Sequence, residues 1–467
     1  MHATVVPAPD VDAAKPLSTG SVPSLRPTAP PSGLAQYRDW PFAVLFAINV
    51  LGIFVVALLW GVPSLKDNED ASNALSIDVT FVGKGIGIMA AMFVASLGVS
   101  ALMVVAILKF PANIIVFGLW ANLTLCVSVA VLGLLTNAIV LVIFGIVLTA
   151  LFACYMYGVR HRLPFAAANL RVAAAALSDV KALVPVSFVL VFVQLLWTLL
   201  WFIALYGIFV QAPPASTPAV PAVLLSLSLL WGVSVLKNIN AVTIAGGVAS
   251  WWYGEGAAPT ARALRRATTT SLGSICLGSL LVAILQVLKQ LLDMASRNGG
   301  VGALVASCLM SCLVSLFELF SHWAFVYVGV YGNTFVQAGK ATMQLFKARG
   351  FTTLLNDELI SSALAFSAFV VALICSGVGV ALCAIDTSAT ATLVLVGLGS
   401  FFMALAVALV VLSTIDGAVA TVYVCFAEHP EALGQSHPEH LQLLMRGWHT
   451  MYPDIMASAG YPLPTPT

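Results

Sequence analysis

The chain has 467 residues, of which 60% are hydrophobic and only 8% are charged, and its net charge is +1. A water-facing globule carries roughly 25% charged residues, so a mean hydropathy of +1.02 excludes a soluble domain and makes lipid the solvent. A near-neutral balance also excludes electrostatic capture of nucleic acid as the main activity.

Residues 1–37 hold seven prolines (Pro7, Pro9, Pro16, Pro23, Pro27, Pro30, Pro31) among Ser, Thr and Ala, without an apolar run. Such a stretch cannot bury enough surface to offset its ordering entropy, so a disordered tail is expected. The basic-then-apolar pattern of a cleaved signal peptide is missing, and the first apolar segment is expected to act as an uncleaved anchor.

From there the chain reads as an all-α, polytopic membrane protein. A spanning helix needs about 20 apolar residues, and ten segments qualify: 42–62, 85–108, 113–135, 138–158, 184–210, 220–250, 272–295, 302–332, 360–383 and 390–424. Only Thr136 and Asn137 separate the third from the fourth. The Asn122 sequon lies within the third segment, where glycosylation is not expected. All eight cysteines fall in apolar runs and read as small hydrophobes. The domain so bounded runs over 38–428, followed by a polar, loop-like C-terminal tail over 429–467.

Lysine and arginine set the orientation. The connections on the N-terminal side, with both tails, carry Lys15, Arg26, Arg38, Lys109, Arg160, Arg162, Arg171, Lys181, Arg262, Arg265, Arg266, Lys340, Lys347, Arg349 and Arg446. Only Lys66, Lys84, Lys289 and Arg297 fall on the other side. That asymmetry predicts both termini in the cytoplasm and an even number of crossings.

Ionisable residues at mid-bilayer are costly, and they mark either function or a paired structural site. Lys237 sits near the middle of the sixth span, Glu318 near the middle of the eighth, and Asp416 in the last. Glu318 is read as the counter-charge of a cationic substrate, as a proton relay, or as the partner of Lys237 between packed helices. For Asp416 the competing reading is a helix-packing hydrogen bond. Next to Glu318, Trp323, Tyr327 and Tyr331 recur at i, i+4 and i+8 and share a stripe. A quaternary ammonium has no N–H to donate, so aromatic faces backed by a carboxylate are the physical way to hold it. Trp323, Tyr327 and Tyr331, with Asn240, are therefore the candidate substrate contacts, the alternative being an interfacial belt. Trp251, Trp252 and Tyr253 are assigned to that belt, and His322 to packing or to the interface rather than to a ligand role.

Ser274 and Gly278 have the small-xxx-small spacing of close helix contacts, and Gly246 and Gly247 are candidate kink positions. No Walker loop and no HExxH motif occurs. Neither catalysis nor a cofactor or metal is expected, and a metal site on the tail histidines (His429, His437, His440, His449) is not adopted.

Two stretches carry a family resemblance. Ala241-Val-Thr-Ile-Ala-Gly-Gly-Val-Ala-Ser-Trp-Trp-Tyr253 precedes Leu272-Gly-Ser-Ile-Cys-Leu-Gly-Ser-Leu-Leu281; Ala324-Phe-Val-Tyr-Val-Gly-Val-Tyr-Gly332 is echoed by Thr421-Val-Tyr-Val-Cys-Phe-Ala-Glu428. The order and spacing resemble those of the choline transporter-like family, over residues 220–445; the first half matches only in hydrophobic pattern. Departures are the short, cysteine-free Gly61–Gly83 connection, which looks fungal or protist, and His429 in place of the usual acid. The resemblance implies ten spans, cytosolic termini and facilitated, sodium-independent movement of choline or a related amine. It also implies an acidic residue at Glu318, but it assigns no cage residues. Alternating access around the sixth, eighth and tenth spans is the mechanism expected. The expected location is the plasma membrane, as the Pro464-Thr465-Pro466-Thr467 end carries no retention signal. The competing readings are carriage of another small metabolite and a non-transporting, lipid-organising or scaffold protein.

Overall fold

The computed structural model describes residues 37–64, 79–211, 219–254, 258–297, 301–349, 359–386, 390–453 and 456. The tail expected to be disordered, most of the Gly61–Gly83 connection and the last residues of the chain lie outside these. The described residues are helical throughout and contain no strand. In lipid, with no water to satisfy exposed amides, that is the arrangement the composition requires.

Ten helical segments are long and apolar enough to cross a bilayer: Trp40–Ser64, Gly87–Lys109, Pro111–Leu135, Ile139–Asp179, Leu183–Val210, Pro221–Trp252, Leu272–Ser296, Leu304–Tyr331, Leu359–Ile385 and Thr392–Glu428. They correspond one for one to the segments read from the sequence. The helices themselves are α1 (Trp40–Val56, continued by a π turn to Gly61), α2 (Val79–Lys109), α3 (Pro111–Leu135), α4 (Ile139–Val159), α5 (Leu163–Asp179), α6 (Leu183–Gln211), α7 (Ala219–Trp252), α8 (Pro259–Thr268), α9 (Leu272–Arg297), α10 (Val301–Tyr331), α11 (Phe335–Arg349), α12 (Leu359–Asp386), α13 (Thr390–Glu428), α14 (Pro430–Ser436) and α15 (Pro438–Met451).

Local sequence explains the boundaries. Proline opens α1, α3, α5, α8, α14 and α15 at the first or second position, where its missing N–H costs nothing. Pro111 both ends α2, by disfavouring helical geometry at Phe110, and starts α3. The division between the third and fourth segments is a tight hairpin. Asn137 takes φ 54° there, a left-handed conformation that asparagine tolerates better than most residues, and Ala138 N–H donates to Gly133 O at 2.9 Å. The π turn in α1 lies where Gly61 meets Gly207 of α6; a Cβ on either would run into the other backbone.

α7 and α13 are the hub: α7 packs on α6, α8, α9, α10 and α13, and α13 on α2, α5, α6, α7, α10 and α12. α7 runs unbroken through Gly246 and Gly247, which serve close packing against Arg266 and Leu183 rather than a break in the helix. Ser274 donates to Asp39 Oδ2 at 2.6 Å, tying the segment before α1 to the start of α9.

Two features depart from the sequence reading. Beyond the apolar stretch that ends at Val159, the fourth segment continues through a 3-10 turn over Arg160–Arg162 into α5, with ten buried residues. The chain after Glu428 is not loop-like in its described part. α14 and α15 bury Leu433, Leu444 and Trp448, and Trp448 packs on Phe426 and Phe165 with ring centroids 4.5 and 5.2 Å away. Its indole N–H donates to Asn169 Oδ1 at 3.3 Å. Average polarity conceals an amphipathic helix, because Leu444 and Trp448, one turn apart, share a face. α5, α8, α11, α14 and α15 follow the fourth, sixth, eighth and tenth spans, so they gather at the face where both ends of the bundle emerge.

Candidate substrate site in the membrane

Five spans enclose a cavity of about 440 Å³. α7 contributes Ser234, Lys237, Asn238 and Ala241; α10 contributes Glu318, Ser321, His322 and Phe325. Both sets follow the i, i+3, i+4, i+7 rhythm of a single helix face. Val282 and Gln286 come from α9, Ser361, Leu364 and Ala365 from α12, and Leu409, Val410, Leu412, Ser413, Asp416 and Gly417 from α13. Lys237 and Glu318 are close to the centres of spans Pro221–Trp252 and Leu304–Tyr331, which puts the cavity near mid-membrane.

Each ionisable group has a defined environment. Glu318 Oε1 accepts from Gln286 Nε2 at 2.7 Å. Asp416 Oδ1 accepts from Ser361 Oγ at 2.6 Å, and its Oδ2 lies 3.9 Å from His322 Nε2. Asn238 donates to Ser279 Oγ at 2.9 Å. Lys237 and Glu318 line the same cavity without forming an ion pair with each other, and the acid–base contact within the cavity is His322–Asp416. Ser321 Oγ has no hydrogen-bond partner. Two carboxylates, an ammonium, an imidazole and a free hydroxyl thus surround one space. Open charge at this depth cannot face hydrocarbon without a large penalty, so the space suits water or a polar solute.

The residues singled out from the sequence divide in two. Lys237, Glu318 and Asp416, from the sixth, eighth and tenth spans, meet around the cavity. Trp323, Tyr327, Tyr331 and Asn240 do not line it. At about 100° per residue, Trp323 lies roughly 140° around α10 from Glu318, and Tyr327 roughly 180°. Trp323 is buried against Phe346 and Tyr423, with centroids at 4.9 and 6.3 Å. Asn240 Oδ1 accepts from Ser187 Oγ at 2.8 Å, and Ser187 in turn accepts from Thr414 at 2.7 Å. His322, read from sequence as a packing residue, belongs to the cavity instead. Its signal was available, since it sits one turn beyond Glu318 on the same face. Ser361 and Gln286 gave none, because only the fold sets their partners.

Between the cavity and the face where the chain ends emerge, the helices close. Gly329 of α10 lies against Ala245 and Gly246 of α7, where a Cβ would not fit. Arg266 of α8 donates to Gly329 O, and the Tyr253 and Tyr331 hydroxyls are 3.1 Å apart. Burial pushes the Tyr253 phenol far above its usual range, so it stays neutral. Trp251 and Trp252 are buried, not interfacial. Their indole N–H groups donate to Asp179 Oδ2 at 2.8 Å and to His429 O at 3.0 Å. Two of the segments that carry the family resemblance, 241–253 and 324–332, therefore supply this barrier, and each also gives one residue, Ala241 and Phe325, to the cavity wall.

A ten-span helical bundle with a polar, ionisable cavity at its centre defines the class: an integral membrane protein with the architecture of a solute carrier. Residues 142–431 match the family model described as plasma-membrane choline transporter, and the chain belongs to the choline transporter-like family, a family of membrane transporters. The chain is 27% identical over 439 residues to a CTL-like protein of Dictyostelium discoideum, covering 90% of this chain and 76% of that one. With the protein PNS1 of Debaryomyces hansenii it shares 26% identity, over 90% of this chain and 88% of the relative. With PNS1 of Eremothecium gossypii it shares 28%, over 90% and 82%. The similarity thus reaches well into the first half of the chain.

Proposed function

We propose that the protein carries choline or a related amine cation across the membrane, through the cavity between α7, α9, α10, α12 and α13. The observation that carries this reading is the meeting of Glu318 and Asp416 with Lys237 around one space at mid-span. Two carboxylates against one ammonium leave a net negative site, which suits a small cation. Lys237 would repel the cargo or exchange places with it, which fits release as well as binding. The barrier at Gly329, Arg266 and the Tyr253–Tyr331 pair supports alternating access, with that barrier opening in turn. His322 beside Asp416 supports a proton-linked cycle. Cytoplasmic termini and residence in the plasma membrane follow on the charge asymmetry and the family description.

A second reading is favoured by the lining itself. Phe325 is the cavity's aromatic residue, while Ser234, Ser321, Ser361 and Ser413 supply hydroxyls. Hydrogen-bond acceptors reward an ammonium with N–H to donate, so a protonated primary amine such as ethanolamine is an equally suitable cargo.

The test is uptake of labelled choline and ethanolamine into cells expressing the chain, against Glu318→Gln at matched surface level. Saturable uptake, reduced about tenfold or more in the variant by loss of a charge-assisted contact, is expected for at least one amine. No uptake of either by surface-expressed protein overturns the amine reading and favours the scaffold alternative.

A further inference from the structure

A second hollow, of about 430 Å³, lies where α2 turns into α3 above α5. Lys109, Asn113, Arg171 and Ser178 line it beside Phe110 and Pro111. Lys109 ends one span and Pro111 begins the next, so the hollow is at headgroup depth, at the face where both chain ends emerge. Neither cation has an ion-pair partner among the described residues. The acid on the same helix as Arg171, Asp179, is engaged elsewhere, accepting from the Trp251 indole at 2.8 Å. The first turn of α3 has no side-chain cap, and its positive dipole end adds to the field of the two cations. Phe110 of the lining is more than half exposed, as are Phe117 and Trp120, which follow Asn113 along the same face of α3 and continue an apolar strip suited to acyl chains.

We infer that this hollow binds the phosphate-bearing headgroup of an anionic phospholipid, with Lys109 and Arg171 as the charge partners and Asn113 and Ser178 as hydrogen-bonding groups. Free phosphate shares the headgroup chemistry, but the position at a span end and the aromatic rim favour a lipid. Two cations from separate elements would then be drawn to one anion, clamping the α2–α3 turn to α5. That clamp bears on the transport path. α5 stacks Phe165 on Tyr423 at 6.1 Å, and Tyr423 belongs to α13, the helix that carries Asp416. A bound anionic lipid would thus steady the helix forming one wall of the cavity. Unpaired basic pockets between helices on the basic side of a membrane protein recognise such headgroups by charge and geometry together.

The test uses the full chain in nanodiscs of phosphatidylcholine alone or doped with phosphatidic acid, read by melting temperature and by lipid retained in native mass spectra. Phosphatidic acid is expected to raise the Tm by several degrees and to remain bound. Lys109→Ala with Arg171→Ala loses both effects, whereas Lys109→Arg with Arg171→Lys keeps them. A charge-matched control on the same face, Arg265→Ala with Lys347→Ala, behaves as wild type. Equal losses in the two alanine pairs, no headgroup dependence in wild type, or full reproduction of the shift by inorganic phosphate would each overturn the assignment. Should the Lys109→Ala, Arg171→Ala pair not fold, Arg171→Gln alone and the wild-type headgroup comparison decide it.

Discussion

Glu318 and Trp323 are five residues apart on one helix yet face opposite ways, and that difference decides what each can do. A carboxylate over the cavity meets solute, whereas an indole packed on Phe346 and Tyr423 meets protein. Two substitutions separate these roles. Asp416→Asn removes a charge while keeping the shape that accepts from Ser361, so amine uptake is expected to fall about tenfold at unchanged surface level. Trp323→Phe is expected to leave the KM for the amine unchanged and to lower the Tm, because it thins packing away from the cavity. A raised KM in Trp323→Phe with unchanged stability would restore the aromatic cage. Periodicity already held this answer: an i, i+4, i+8 stripe starting at Trp323 cannot share a face with Glu318, while His322 and Phe325 can.

Among the helices, α7 and α10 act as a pair. They line the cavity together at mid-span and touch backbone to backbone nearer the chain ends, at Gly329 and Ala245–Gly246. Any side chain at Gly329 must push the two helices apart, and overpacking of this kind costs about 1–3 kcal/mol. Gly329→Leu is therefore expected to lower the melting temperature and to block transport while the protein still reaches the membrane. Retained transport at wild-type stability would show that the two helices do not approach this closely in the working cycle. The sequence marked Gly246 as a candidate kink and did not single out Gly329, because glycine is common in membrane helices and a weak signal there. What it could not give was the partner: Gly329 and Gly246 are far apart in the chain and meet only because α7 and α10 cross.

For the molecule as a whole, the helices after Glu428 are part of the transporter and not an appendage. Ser436 Oγ donates to Trp252 O at 2.9 Å, and His437 stacks on Trp251 with centroids 4.2 Å apart. Burial, then the nearby His440, hold the His437 imidazole below its usual range, with Asp179 opposing. A histidine whose folded pKa is depressed adds stability that is fully present above its unfolded value, about 6.5, and that is lost as pH falls through the folded value. Protection from hydrogen exchange over residues 430–451, corrected for the intrinsic rate at each pH, is therefore expected to fall on acidification below about pH 6.5. In His437→Phe, which keeps a ring on Trp251, that part of the pH dependence should disappear. An unchanged profile in the variant would assign the effect to other groups.

By itself the sequence determined the class and the topology: ten spans, their order, and the residues that break them. These follow from local quantities, namely runs of about 20 apolar residues and prolines that start helices. It also singled out Lys237, Glu318 and Asp416, since a charge in the middle of an apolar run is visible without knowing its neighbours. Tertiary structure alone decided that these three share one cavity with His322, Gln286 and Ser361, that the aromatic stripe packs away from it, and that the C-terminal helices close over α5 and α7. The reason is physical: in a bilayer every span is apolar on most sides, so hydrophobicity no longer separates core from surface. Which face of each helix meets which neighbour is settled by close packing and hydrogen bonds between residues distant in the chain.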